Sequence, residues 1–163
     1  MRKTVQLLWL ITLLLLIGQA FYFYPDLPAM MASHFDSNGN PNDYSSKSSF
    51  YILWAFLIVF MNVWVLMPKV LFTKLPASMI NVPNKQFWLA NDERRQELAK
   101  IVGTVLQAIF SGVNVLMLYA FYYTVQINLG QKKDSGFEWQ IIILLALIAF
   151  SVYYLIKRTK TPQ

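Results

Sequence analysis

Apolar and polar positions in this chain are sorted into long blocks. Residues 5–24, 50–67, 101–125 and 139–156 are close to continuously apolar. A hydrocarbon core of roughly 30 Å takes about 20 helical residues, so each block predicts one membrane-crossing helix. The expected fold is an all-α membrane protein: one domain over residues 1–163, with four transmembrane helices. The polar blocks between them predict an ordered loop at 25–49, a second loop at 68–100 and a short third loop at 126–138.

The first block also fits a signal peptide, because Arg2-Lys3 precede it and Gly18-Gln19-Ala20 is an acceptable cleavage site. The apolar run continues through Phe21-Tyr22-Phe23-Tyr24, which suits an anchor with an aromatic girdle. Cleavage leaves the orientation of the remaining helices unchanged. The second block is closed by Pro68-Lys69, with Leu71-Phe72 as an extension toward the headgroups. Before the third block, Asn91 can cap a helix whose first turn holds Asp92 and Glu93, the correct sign for the helix dipole. One continuous helix from about Asp92 to about Val125 follows.

Composition supports the membrane reading. Hydrophobic residues make up 56% and charged residues 13%, against about 45–50% and about 25% in soluble domains. Cysteine is absent, which excludes disulfides and thiolate chemistry. The net charge of +6 does not point to nucleic acid, because the basic residues flank hydrophobic ends. Eleven of the fourteen Lys and Arg lie in the N-terminus, the second loop and the C-terminus. The positive-inside rule then expects both termini in the cytoplasm and residues 25–49 outside. Phe21 to Tyr24, Phe50-Tyr51-Trp54, Tyr119 to Tyr123, and Phe137 with Trp139 all fall at the expected outer ends, as an interfacial belt would.

The third block carries a polar seam. Lys100, Thr104, Gln107, Ser111 and Asn114 fall within an arc of roughly 80° at about 100° per residue. Polar side chains prefer a bundle interior to lipid. The seam therefore serves interhelical hydrogen bonding, a solute path or a self-association face, with Asn62 as a partner and Ala108 and Gly112 allowing close approach on a neighbouring face. No Asp or Glu lies in the middle of any block, which argues against a proton-coupled pump.

The first loop holds the one histidine. Ser37-Asn38-Gly39-Asn40-Pro41-Asn42 is dense turn chemistry, but the flanking alternation is too weak for strands, so a turn-rich cap is expected. His34, Asp36, Gly39, Asp43 and Lys47 are its candidate ligand-binding residues. His34, Asp36 and Asp43 could meet around a divalent ion, with Asp26 joining them. One histidine with flexible carboxylates is a thin donor set, so neither metal nor cofactor is assigned. No Gly-x-Ser-x-Gly turn, second histidine or phosphate-cradling loop is present, so no enzyme is expected. In the second loop, Asn81, Pro83, Asn84, Lys85 and Trp88, with Arg94-Arg95, join basic and aromatic residues beside a membrane. Headgroup attraction or a docking surface for a cytoplasmic protein would use such a motif.

Leu27-Pro28, Met30-Met31, His34-Phe35, Gly39-Asn40-Pro41 and Lys47 stand in an order that resembles an uncharacterised bacterial integral-membrane family. It is number sixteen-forty-eight among the domains of unknown function. Asn81-Val82-Pro83-Asn84-Lys85 with Trp88 and Glu93-Arg94 resembles some of its members. The resemblance implies the domain found at the N-terminus of Sdp-type immunity proteins, which protect a producing bacterium from its own toxin. It implies no catalytic or metal residues. The expected function is binding or sensing, or an immunity-type role, through the outer loop. A small transporter or channel, or a structural subunit of a membrane complex, is the alternative. The expected partners are the lipid bilayer, a membrane or cytoplasmic protein, and a second copy of the chain.

Overall fold

A computed structural model describes residues 2–36, 38–131 and 138–160. Ser37 of the expected turn, and Lys132, Lys133, Asp134 and Phe137 of the third loop, lie outside the described residues.

The chain is mostly helical. Helix α1 spans Arg2–Phe23, α2 Lys47–Val63, α3 Met67–Lys74, α4 Lys85–Trp88, α5 Asp92–Asn128 and α6 Glu138–Lys160. Among the described residues, three helices are long and apolar enough to cross a membrane, and four if α2 and α3 form one bent span. The protein is accordingly a multi-pass membrane protein.

Helix α5 is the axis. It packs against α1, α2, α3, α4, α6 and the first strand described below. Its 37 residues rise about 55 Å, well beyond the hydrocarbon thickness. Its start is as expected: the Asn91 side chain accepts the Arg94 amide, and Asp92 and Glu93 occupy the first turn. Its end lies beyond Val125. The Gly130 amide donates to the Ile127 carbonyl and the Gln131 amide to that of Gln126. This is a Schellman motif, which needs the left-handed φ of +71° at Gly130.

The expected second span requires correction. Its helix starts at Lys47, where the Ser46 hydroxyl accepts the Ser49 amide, and it stops at Val63. The turn Trp64–Leu66 follows, and α3 leaves at 42°. Pro68 is the cause. It has no amide to give the Trp64 carbonyl, and its ring would clash with that group. The backbone tightens instead into three-residue bonds from Val65 to Asn62, Leu66 to Val63 and Met67 to Trp64.

The turn-rich cap expected in the first loop is, more closely, an antiparallel hairpin set in the otherwise helical membrane fold. Strand β1 (Met30–Phe35) pairs with β2 (Pro41–Ser46). The partners are Met30 with Ser46, Met31 with Ser45, Ala32 with Tyr44, His34 with Asp43, and Phe35 with Pro41. This register leaves Ser33 and Asn42 as extra residues on opposite strands. Each bulge shifts the facing of the side chains by one position, and that hides the alternation a strand normally shows.

The expected belt divides in two. Phe21, Tyr22 and Trp139 remain exposed. Phe50, Tyr51 and Trp54 turn inward, with ring centroids 6.0, 5.9 and 5.2 Å from that of fully buried Phe121. Leu27, Met31 and Val125 join Phe50 and Phe121 in one core. Aromatic pairs at such spacings add about 0.5–1.5 kcal/mol beyond burial. The hairpin thus rests on a packed floor. Elsewhere α5 meets α6 closely at Gly112, where a Cβ would fall 2.5 Å from Leu147 Cδ2.

Candidate functional site

The hairpin tip is organised by one carboxylate. Asp36 Oδ1 accepts the amides of Asn38 at 2.9 Å and Asn40 at 2.8 Å. The Asn40 carboxamide donates to Oδ2, and the Asp36 carbonyl accepts the Gly39 amide at 3.0 Å. The Asn40 and Asn38 amides hold the Asp36 carboxyl below its ordinary value. Gly39 supplies the left-handed φ of +78° that the turn requires. Asp36 and Gly39 therefore shape the tip.

Lys47 seats the hairpin on α1. Its ammonium donates to the Leu27 carbonyl at 2.8 Å and the Tyr24 carbonyl at 3.0 Å, and lies 4.7 Å from the Tyr24 ring centroid. Tyr24 immediately follows α1, so a cation meets the negative end of that helix. The Lys47 amide also donates to the Ala29 carbonyl. His34, which pairs with Asp43 in the ladder, bonds through Nδ1 to the Asn42 carboxamide. Asp43 Oδ1 accepts the amide of Tyr44. Among the described residues no group of three or more His, Cys, Asp or Glu is placed to hold a metal ion. His34, Asp43 and Tyr44 remain exposed, whereas Lys47 is taken up by the scaffold.

Asn128 carries the most informative contact at this end, and the sequence did not single it out. Its Oδ1 accepts the Ala32 amide at 2.8 Å, and its Nδ2 donates to the Ala32 carbonyl at 3.1 Å. Nδ2 also donates to the Thr124 carbonyl. The carboxamide imitates a neighbouring strand for one residue, beside the Ser33 bulge. Both backbone groups of buried Ala32 are thereby satisfied, and the hairpin is tied to the end of α5. The turn-forming Leu129-Gly130 just beyond is the only local signal for it.

The polar seam splits. Thr104 donates to the Lys100 carbonyl and Ser111 to that of Gln107, both within α5. Among the hydrogen bonds of the described residues, only that of Asn114 takes the seam to another helix. Its Nδ2 donates to Asn62 Oδ1 at 3.1 Å, and Asn62 Nδ2 returns a bond to Asn114 Oδ1 at 3.0 Å. Trp9 Nε1 donates to the same Asn62 oxygen at 2.8 Å, and the Thr12 hydroxyl lies 3.4 Å from Asn114 Nδ2. Asn62 was expected as a partner. Trp9 and Thr12, in an apolar block, were not. The cluster links α1, α2 and α5 by interhelical hydrogen bonds.

The second-loop motif clasps the far end of α6. Trp88 Nε1 donates to the Thr159 carbonyl and Asn84 Nδ2 to the Lys160 carbonyl, each at 2.8 Å. These are carbonyls that a helix end leaves unpaired. Asn81 and Pro83 lead into Asn84, whose φ of +54° turns the chain. Lys85 opens the turn of α4. Arg94 stacks 4.1 Å from the Phe87 ring centroid. Arg95 closes α3 in the same manner, donating to the Leu75 and Phe72 carbonyls. The motif fixes three helix ends relative to one another at the basic end of the molecule.

Residues 9–61 match the model of a family described as Domain of unknown function (DUF1648). The match covers most of α1, the hairpin and most of α2. No curated protein and no solved structure matches the chain.

Proposed function

The chain belongs to the DUF1648 family, and on that premise we propose that it is a binding or sensing membrane protein whose recognition face is the hairpin. The hairpin lies outside the cell, and the basic end, with both termini, lies in the cytoplasm. The carrying observation is the double hydrogen bond between Asn128 and Ala32. It joins the hairpin to a helix whose first turns lie among the basic loop segments. A ligand that shifts β1 therefore acts on α5 directly. His34, Asp43 and Tyr44 are the residues offered to that ligand, while Asp36, Gly39 and Lys47 hold the cap in shape. An immunity-type role is one form of this reading, with a toxin as the ligand.

The chain has no cysteine, so single-cysteine variants test the topology. Tyr44→Cys should react with a membrane-impermeant maleimide in intact cells, and Met79→Cys only after permeabilisation. The reverse pattern would overturn the orientation. A photoreactive residue at Tyr44 should then crosslink an extracytoplasmic partner. Adding His34→Ala to that photoreactive variant should abolish the crosslink, and His34→Ala with Tyr44→Ala should abolish a protective phenotype, each without lowering membrane abundance. A fall in abundance alone would make the cap structural.

A further inference from the structure

The basic end of the bundle contains a groove with a charged head and an apolar body. Helices α1 and α6 both lie on α5. Between them is a cleft of about 250 Å³ lined by Arg2, Glu97, Lys100, Thr104, Tyr154 and Arg158, among others. Thr104 and Tyr154 also line a second cleft of about 200 Å³. Its other walls are Val5, Val105, Ala108, Leu147, Phe150 and Ser151. The two therefore adjoin along Thr104 and Tyr154, one walled by cations at the helix ends and the other by aliphatic and aromatic side chains within the span.

The charged head opens to the other side of α1 as well. A cleft of about 620 Å³ between α1, the α2–α3 bend and α5 shares Arg2, Lys100 and Thr104 and adds Lys69. Its polar walls include Gln6, Gln96 and Gln107, with no carboxylate. Arg2, Lys69 and Lys100 converge on one opening, and among the described residues no carboxylate forms an ion pair with them. Glu97 lines the smaller cleft together with Arg158 and is not among the walls of the larger one. Three cations gathered at the end of apolar helices make an anion site at the depth of a phospholipid headgroup.

We infer that this groove holds one anionic phospholipid, with its phosphate between Arg2 and Lys100 and an acyl chain between α1 and α6. Charge selects the head: a zwitterionic headgroup carries its own cation toward Arg2, Lys69 and Lys100, whereas an anionic one does not. The apolar walls select a lipid over a soluble phosphate. The bound lipid bridges α1, α5 and α6 at the end opposite the hairpin.

The test uses the full chain in detergent and in nanodiscs. Native mass spectrometry should show one phosphatidylglycerol retained about ten-fold more tightly than phosphatidylcholine. Arg2→Gln with Lys100→Gln should remove that preference, while Lys74→Gln, outside the groove, should keep it. Glycerol phosphate, the head without a tail, should not displace the lipid. Ala108→Leu should weaken lipid retention in protein whose gel-filtration profile and melting temperature are unchanged. If Ala108→Leu perturbs folding, the Arg2 and Lys100 variants decide the matter alone. Equal retention of the two lipids, an unchanged preference in the double variant, or displacement by glycerol phosphate would each overturn the inference. None of these outcomes depends on what the hairpin binds.

Discussion

The carboxamides of Asn62 and Asn114 donate to each other across the α2–α5 interface, at 3.0 and 3.1 Å, with Asn114 fully buried. Two amides paired in this way satisfy one donor and one acceptor on each side without a formal charge. Trp9 takes a second lone pair on Asn62, and the Ile58 carbonyl accepts the second use of its Nδ2. The cluster therefore depends more on Asn62 than on Asn114.

Asn114→Leu should destabilise the bundle by about 1 kcal/mol, the usual range for an intramembrane hydrogen bond. Asn62→Leu should cost more, about 2 kcal/mol, because it strands both Trp9 Nε1 and Asn114. The double substitution should cost clearly less than the two summed, since no stranded partner remains at either position. Equilibrium unfolding in detergent measures all three. Strict additivity would show that the two residues are energetically independent.

The hairpin tip should be acid-sensitive. The native Asp36 carboxyl lies below its ordinary value of 3.8, chiefly through the Asn40 amide. A depressed native value means that the contribution is present in full above the unfolded value. It is lost as pH falls from there through the native value. Amide exchange at Gly39 and Asn40 should accelerate across that acid window. In Asp36→Asn, which keeps an acceptor oxygen without a titrating group, the acceleration should vanish.

Lys47 should behave as a scaffold residue. Lys47→Met keeps the aliphatic stem and loses two charge-assisted bonds to the Tyr24 and Leu27 carbonyls, at a cost of about 2 kcal/mol. Exchange protection should fall first in Met30–Ser46, the hairpin that Lys47 anchors beside the end of α1. Lys47→Arg should restore part of it. If hairpin protection survives Lys47→Met unchanged, the seat depends on Met31 and Leu27 packing alone.

Trp88→Phe should loosen the end of α6. It retains a ring in the buried site and loses the bond to the Thr159 carbonyl. The expected cost is about 1 kcal/mol, with faster proteolysis after Lys157. Asn84→Ala should add to the effect, because Asn84 holds the next carbonyl.

The sequence by itself determined the long apolar blocks that become helices and the separation of basic from neutral ends, though not where α2 breaks. Those properties are sums over neighbouring residues: hydropathy accumulates along a block, and a cap such as Asn91 acts within four residues. The motif Leu27-Pro28, His34-Phe35, Gly39-Asn40-Pro41 and Lys47 was equally legible, because its members stand in order. Tertiary structure decided what those residues do. Lys47 meets the end of α1, and Asn128 meets Ala32, 96 positions away. Trp9 meets Asn62 across 53 positions. Partners so far apart leave no local periodicity. The bulges at Ser33 and Asn42 erased the one period that could have revealed the hairpin. Pro68 was visible as a stop, but only the fold shows α3 leaving at 42° with Arg95 donating to the Leu75 carbonyl just past its end.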